Sequence, residues 1–243
     1  MSITSDFAKP EGAEVDMEDR LGGSRTVPSD AYRVTLGQCY QHKSPKGAKY
    51  VHIEYTTRTG VTQSENIYYS NKDGETTFRN KSTGKLQTMP GWNRITALIE
   101  VATDKPSDQV ITDKKYVGIY NADAKKEVET EVDVLVELTG KEVVLGILHV
   151  EANKTKAVKT GDPGDPVKYV PTAEKREYNE ISVIADTRGR TKSERDKGFK
   201  TGEFIQQWRQ KNKDTTRDLY KPVEGAPAAT ASSAPTVDID FGD

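Results

Sequence analysis

The sequence predicts a mainly β protein: a small Greek-key barrel with one internal helix, a C-terminal helix and a disordered acidic tail. Three observations lead to this prediction. Short segments in which apolar and polar residues alternate recur between about residue 30 and residue 185, and such alternation is typical of half-buried strands. Glycine and proline separate these segments at irregular intervals, so no fixed repeat is present. With 33% hydrophobic and 30% charged residues, the 243-residue chain provides for one compact core.

The first part of the chain contains four predicted strands. Residues 32–36 alternate and stop at a glycine, and residues 50–57 alternate again. Residues 66–70 and 76–79 are predicted to pair as a hairpin, because the dipeptide Asp73-Gly74 between them is a strong tight-turn signal.

A helix is predicted to begin at Pro90-Gly91, since proline is favoured in a first helical turn and the apolar residues that follow share one helical face. We expect Trp92 to anchor this helix to the core. The stretch 127–138 fits a strand by its alternation of acidic and apolar residues, and it fits a short helix by the spacing of its valines. We favour the helix, because Gly140 supplies a stop.

Two core strands are predicted further along the chain, over residues 143–151 and 177–185. Residues 154–174 between them are expected to form a long, exposed connection. A final helix is predicted over residues 201–220. Five or six short strands around one internal helix are typical of the OB-fold, a Greek-key barrel that binds single-stranded nucleic acids.

Charge divides the chain into a basic body and two acidic ends. Residues 1–30 hold seven acidic and three basic side chains, and residues 222–243 hold four acidic and no basic ones. The residues between them hold 33 basic and 27 acidic side chains, which favours a polyanionic partner for the body. The expected parts are an acidic, flexible N-terminal segment (1–30), an OB-like single-stranded nucleic-acid-binding domain (31–200), a C-terminal helix (201–221), and a flexible linker with an acidic docking tail (222–243).

Catalytic, metal and cofactor sites find no support in the sequence. The three histidines lack the spacing of metal ligands, and motifs for phosphate binding or an activated serine are absent. The alternating acidic residues 127–133 are better explained as a solvated face, and the single Cys39 forms no intramolecular disulfide. No apolar run approaches the roughly 18 residues of a membrane span, and no signal-peptide pattern is present. We expect a cytoplasmic protein that is not an enzyme, binds no cofactor and has no membrane partner.

Binding of single-stranded DNA has better support. Such proteins combine cationic side chains that follow the phosphates with aromatic rings on which bases stack. Tyr55 shares a strand face with apolar residues and is expected in the core, whereas Tyr50 lies on the opposite face and is expected to stack on a base. The predicted DNA-binding residues are Lys43, Lys46, Lys49, Tyr50, Arg58, Tyr68, Lys72, Phe78, Arg79, Lys81, Arg188 and Arg190.

The C-terminal residues have the composition of a docking peptide. Residues 222–235 are rich in proline, alanine and serine, which is typical of a flexible linker. Apolar and acidic residues then alternate over residues 237–241. We predict that a partner protein binds the tail through Asp238, Ile239, Asp240, Phe241 and Asp243.

Several ordered patterns resemble those of bacteriophage single-stranded DNA-binding proteins. They comprise residues 66–74, the segment from Leu86 through Pro90-Gly91-Trp92-Asn93, residues 137–143 and residues 178–181. In that family a Leu-Pro-Gly helix lies within an OB-like barrel, and here Met89 takes the position of the leucine. The resemblance implies a protein of phage DNA replication or recombination. Such a protein protects single-stranded DNA in the bacterial host cell and recruits phage or host proteins through its acidic tail.

Two other interpretations stay open. A phage structural or protein-interaction scaffold without nucleic-acid binding would use the strands as a framework. An RNA-binding barrel is also compatible with the aromatic residues, because stacking does not distinguish RNA from DNA without contacts to the 2′-hydroxyl.

Overall fold

The computed structural model describes residues 26–121, 124–158 and 168–223. The predicted N-terminal segment up to residue 25, and the linker and docking tail from residue 224, lie outside these ranges. The strands are β1 (Asp30–Lys43), β2 (Lys49–Thr57), β3 (Thr62–Tyr68), β4 (Thr77–Arg79), β5 (Leu86–Thr88), β6 (Asp113–Asn121), β7 (Lys126–Val134), β8 (Glu142–Val158), β9 (Lys168–Ala185) and β10 (Thr216–Asp218). The helices are α1 (Pro90–Thr103), α2 (Lys192–Asp196) and α3 (Phe204–Asn212), with a 3-10 turn over Ser107–Gln109.

The main sheet is built around β1. Strands β3, β2, β1, β8 and β9 are neighbours in that order, and each pairs antiparallel with the next. β1 changes partner along its length: residues 30–35 pair with β8, while Tyr40 and Gln41 pair with β7, which forms a hairpin with β6. A bulge between Leu36 and Cys39 precedes the change of partner, and such a bulge bends a strand. β10 adds to β8 in parallel.

β3 and β9 approach each other, so the five strands form a partly open barrel. In the described residues these two strands share no backbone ladder, and side chains join them instead. Gln63 Nε2 donates to Asn179 Oδ1 at 2.7 Å, and the Ile181 N–H donates to Glu65 Oε2 at 2.6 Å. α1 packs beside this seam, where Arg94 lies 3.5 Å from Glu65. The predicted mainly β class is confirmed.

The barrel encloses the main apolar core. Val51, Ile53 and Tyr55 of β2 point into it, as the alternation predicts. α1 begins at Pro90 as predicted and closes one side of the core with Ile95, Leu98 and Ile99. Each such side chain stabilises the folded state by about 1.5–3 kcal/mol when it is fully buried. A smaller cluster joins β1 to the β6–β7 hairpin; its buried members are Tyr40, Val132 and Val134.

The predicted hairpin of residues 66–70 with 76–79 is wrong in its pairing. The turn itself forms: the Gly74 N–H donates to Asn71 O at 3.1 Å, and Gly74 has a φ of +85°. However, β3 ends at Tyr68, because the next two N–H groups both donate to the Lys49 carbonyl of β2. β4 therefore pairs with β5, as a separate two-stranded sheet.

The helix favoured over 127–138 is also wrong, since residues 126–134 form strand β7. β6 supplies an antiparallel partner along the whole of β7, so its acidic and apolar residues divide between two faces of a ribbon. Gly140 has the positive φ, +77°, expected of a stop. It serves the turn from β7 to β8, in which its N–H donates to Leu36 O at 2.8 Å.

The connection predicted over residues 154–174 is largely strand. β8 continues to Val158 and β9 begins at Lys168, and the two strands pair antiparallel as a long two-stranded segment, which we call the β8–β9 arm (residues 151–158 and 168–177). Its side chains are mostly polar on both faces, and apolar alternation is therefore missing.

The helix predicted over residues 201–220 is shorter in the structure. α3 ends at Asn212, because Asp214 adopts a left-handed conformation with a φ of +58° and donates its N–H to Ser29 O at 2.8 Å. The chain then continues as β10. No helix within the described ranges has the length and apolar character needed to cross a lipid bilayer.

Trp92 does not anchor α1, since 37% of its surface remains exposed. The apolar residues one turn further along the helix hold it to the core instead. Trp208 has the anchoring role at α3: its ring packs against Gly146 of β8, where a Cβ would lie 3.1 Å from the indole.

Candidate nucleic-acid interface

The loop between β1 and β2 gathers three of the predicted phosphate contacts. Lys43 and Lys49 are the last cross-strand pair of the two strands, and Lys46 lies in the loop that joins them. The Ser44 N–H closes this loop by donating to Ala48 O at 2.8 Å. Like charges directly opposite each other in a sheet repel, and none of the three lysines forms an ion pair with a described residue. The loop therefore concentrates positive charge that forms no ion pairs within the described residues.

Lys72 joins this group through the turn that follows β3. Gly47 has a φ of +91°, and a Cβ there would lie 2.7 Å from the Lys72 carbonyl oxygen, so the two turns pack backbone to backbone. The Tyr69 N–H also donates to Lys49 O at 3.0 Å. Four lysines thus share one end of the sheet; we call them the lysine surface: Lys43, Lys46, Lys49 and Lys72.

Tyr68 presents an open aromatic face beside the lysine surface, and Tyr50 does not. Tyr50 lies on the outer face of the sheet as predicted, but its ring sits between His42 and Tyr68, at centroid distances of 5.8 and 5.2 Å. It is only 7% exposed, whereas Tyr68 on the edge strand is 48% exposed. The expectation that Tyr50 offers a free ring for stacking is therefore corrected, because its cross-strand neighbours cover it.

The β8–β9 arm brings a further ring to the lysine surface. Lys46 Nζ lies 5.4 Å from the centroid of the Tyr169 ring, within the range of a cation–π contact. Tyr169 is 60% exposed. Sequence reasoning missed this residue because the segment around it was interpreted as a loop, and its one signal was an aromatic residue beside Lys168 in a polar stretch.

Other predicted DNA-binding residues lie away from the lysine surface. Arg58 occupies the turn between β2 and β3, at the opposite end of both strands. Phe78, Arg79 and Lys81 are exposed and belong to the separate β4–β5 hairpin, in which Arg79 Nη1 donates to Gly84 O at 2.7 Å.

Arg188 and Arg190 follow β9, and their side chains differ in how accessible they are to solvent. Arg190 is tied into the protein, 2.7 Å from the Asp186 carboxylate and 3.1 Å from the carbonyl oxygen of Phe199. Burial acts to raise the pKa of Asp186, but hydrogen bonds from Arg190 and from the Arg188 backbone outweigh it and hold that pKa below its usual value. The Arg188 side chain is exposed. Arg190 is therefore structural, and Arg188 alone of the two faces solvent.

Two adjoining cavities, of about 350 and 240 Å³, lie where β1 and β2 meet α1 and β7. Gln41 and Tyr69 line both of them. Burial, and then the nearby Asp133 carboxylate, raise the pKa of Tyr69, so its phenol stays neutral in ordinary buffers. The first cavity is also lined by His42, Lys43, Lys49, Glu131, Val132 and Asp133. The second is also lined by Val51, Trp92, Ile95, Thr96, Ile99, Ser107 and Asp108.

The described residues contain no group of three or more histidine, cysteine or acidic side chains placed to hold a metal ion. Cys39 is buried, and burial raises the pKa of its thiol to about 12, so a thiolate nucleophile does not form at neutral pH. The predicted docking residues Asp238, Ile239, Asp240, Phe241 and Asp243 lie outside the described residues.

No known protein-family model matches the sequence, and no curated protein matches it as a relative.

Proposed function

We propose that the protein binds single-stranded DNA with little sequence preference, at the lysine surface and the aromatic rings beside it. The supporting observation is that four lysines without ion-pair partners among the described residues converge with two exposed rings, Tyr68 and Tyr169. Lysine side chains suit phosphates as mobile point charges. An exposed ring suits any base, and each base stacked on one contributes about 1–3 kcal/mol.

The strand order favours the same surface. In OB-type barrels an oligonucleotide crosses the second and third strands, between the loop joining the first two strands and the loop joining the last two. The corresponding elements here are the β1–β2 loop and the β8–β9 arm, and the contact of Lys46 with Tyr169 brings them together. A strand lying across Tyr68 would pass between them.

The biological role we infer is protection of single-stranded DNA during phage replication or recombination, in the cytoplasm of a bacterial host. The acidic tail would recruit phage or host replication and recombination proteins, with Ile239 and Phe241 as apolar anchors and the aspartates steering the encounter. This part of the proposal rests on the composition of the tail and on the resemblance described above.

A protein-interaction scaffold is the second candidate, and the β6–β7 hairpin favours it. Tyr116 and Tyr120 are exposed on the face of this hairpin that also presents Glu127 and Glu129. Exposed tyrosines surrounded by charge are typical of protein–protein contacts. The DNA-binding function requires the lysine surface to contact nucleic acid, whereas the scaffold does not.

A titration with fluorescently labelled oligo-dT, matched duplex DNA and oligo-rU tests the proposal, run at about 50 mM and about 200 mM salt. We expect the single strands to bind more tightly than the duplex and to lose affinity steeply with salt, because phosphate contacts release counterions. The oligo-dT to oligo-rU ratio decides between DNA and RNA. Absence of binding to all three nucleic acids at the lower salt would overturn the proposal in favour of the scaffold.

A further inference from the structure

The two cavities that share Gln41 and Tyr69 combine a cationic end with an aromatic end. Lys43 and Lys49 line the first cavity, and Trp92 lines the second. At about 350 and 240 Å³, the cavities have a size suited to a small ligand. Neither cavity is needed for open stacking on Tyr68 or Tyr169, so the arrangement calls for a separate explanation.

The cationic end retains its charge in spite of acidic neighbours. Glu131 lies 2.8 Å from Lys114 Nζ, and Asp133 is the cross-strand partner of the same lysine. Both carboxylates raise the pKa of Lys114, the hydrogen bond to Glu131 most of all. Lys114 thus neutralises Glu131, and Lys43 and Lys49 outnumber the one remaining carboxylate of this cavity, Asp133, which leaves a net positive charge for an anion.

The aromatic end also contains a polar side chain that can form hydrogen bonds with a ligand. The side-chain amide of Gln41 forms no hydrogen bond with a described residue, although it carries two donors and an acceptor. Tyr69 and Trp92 supply the rings around it. A flat, hydrogen-bonding heterocycle is the ligand that such a set of side chains suits best.

We propose that the two cavities bind one nucleotide, with its phosphate between Lys43 and Lys49 and its base against Tyr69 and Trp92, where Gln41 bonds to the base edge. The inference rests on the proposed function, since the nucleotide would belong to the bound DNA strand. A base held in this pocket fixes the register of the strand, while the bases that follow stack on Tyr68 without regard to sequence. Trp92, which DNA-binding predictions from sequence leave out, becomes a nucleotide-binding residue.

The two tryptophans of the chain allow a direct test by NMR, because each indole N–H gives a separate signal. Trp92→Phe identifies the Trp92 signal, and Trp208 serves as an internal control because it packs on Gly146 at α3. The probes are dTMP and thymidine. We expect dTMP to shift the Trp92 signal and leave Trp208 unmoved, and thymidine to require a higher concentration because it lacks the phosphate.

A double variant, Lys43→Ala with Lys49→Ala, tests the phosphate end. It should raise the dTMP concentration needed for half the shift at least about tenfold, since hydrogen bonds to charged groups are lost, and leave thymidine unaffected. The matched control, Lys126→Ala with Lys200→Ala, removes the same charge from exposed lysines elsewhere and should change neither titration.

The outcomes separate the pocket from the proposed function. If labelled oligo-dT binds while neither dTMP nor oligo-dT moves the Trp92 signal, the pocket is overturned and single-strand binding stands. If dTMP moves the signal and oligo-dT does not bind, the pocket is supported and the proposed function is overturned. A shift of Trp208 equal to that of Trp92 would also overturn the pocket, because it would indicate a general change in the fold.

Discussion

The carbonyl oxygen of Tyr68 lies so close to Gly91 that a Cβ on this glycine would overlap it. This contact holds the first turn of α1 against the end of β3, and that turn has neither a side-chain cap nor an acidic residue. It also fixes the positions of the two residues next in sequence, Tyr69 and Trp92, which line one cavity. The Pro-Gly pair thus positions a candidate binding residue as well as starting a helix.

Gly91→Ala is predicted to destabilise the protein by about 3 kcal/mol or more, because backbone must move to admit the methyl group. In an ordinary helix the same change stabilises by about 1 kcal/mol. Gly118→Ala is the control: its Cβ would meet the flexible end of Glu127 at 3.1 Å, and the cost should stay within about 1 kcal/mol. Urea denaturation measures both variants, and a stabilised Gly91→Ala protein would contradict the close approach.

Replacing Tyr50 by alanine is predicted to reduce the stability of the protein, whereas replacing its neighbour Tyr68 is predicted to reduce DNA binding. Tyr50→Ala should lower the free energy of unfolding by about 3 kcal/mol, because it empties a buried site. Tyr68→Ala should weaken oligo-dT binding by about 1–3 kcal/mol, the worth of one stacked base, and barely change the thermal midpoint. Thermal unfolding and anisotropy titrations on both variants check this division. Equal effects of the two changes on binding would contradict it.

Glu65 is predicted to make stability depend on pH. Burial raises the pKa of this carboxyl to about 7, from an ordinary 4.5 in the unfolded chain. Between these values the folded state binds more protons than the unfolded state, so the free energy of unfolding falls as the pH rises. From pH 5 to pH 8 the fall should be roughly 2–3 kcal/mol.

Glu65→Gln supplies the control, since its amide oxygen can still accept from the Ile181 N–H. The free energy of unfolding of the variant should lose this part of the pH dependence. At pH 8 it should compare more favourably with that of the wild type than it does at pH 5. A difference between the two proteins that stays constant from pH 5 to pH 8 would show that Glu65 is ionised throughout.

Deleting residues 237–243 is predicted to tighten oligo-dT binding, most clearly at low salt. If the linker is flexible, as its composition predicts, the acidic tail should be present at high effective concentration near the lysine surface and should compete with phosphates there. Salt should screen this competition. Phe241→Ala should keep the competition and lose the replication or recombination partner, because the charge is unchanged. Truncated protein that binds oligo-dT like the full chain, and captures the same partners, would refute both roles of the tail.

The sequence predicts most strongly the elements whose apolar residues face one core. Residues 50–57 and 177–185 alternate because one face of each lies in the barrel. Residues 143–151 form an apolar run that is buried almost throughout, and the Pro-Gly signal places the start of α1. Strands that are stabilised only by pairing with neighbouring strands are not predicted by such a pattern. The β8–β9 arm is polar on both faces, and β7 has a pattern that becomes unambiguous only beside β6.

The candidate site was predictable in its lysines and less so in its rings. The basic loop of residues 43–49 is continuous in sequence, so its charge is visible there. Whether a ring is open depends on its cross-strand neighbours: strand periodicity assigns Tyr50 to the outer face but does not reveal that His42 and Tyr68 cover it. Tyr169 and Trp92 are distant from the lysines in sequence and are brought to the site only by the tertiary fold, so no local sequence pattern indicates them.

The salt dependence of oligo-dT binding in a lysine-surface variant tests the central claim most directly. The variant carries Lys43→Ala, Lys46→Ala and Lys49→Ala, and its matched control carries Lys126→Ala, Lys200→Ala and Lys211→Ala, with the same loss of charge at exposed positions elsewhere. If the lysine surface follows the phosphates, the slope of log affinity against log salt should fall in magnitude by about 2 in the first variant and stay at the wild-type value in the control. Equal slopes for all three proteins, or an equal reduction in both variants, would contradict the proposal that single-stranded DNA binds there.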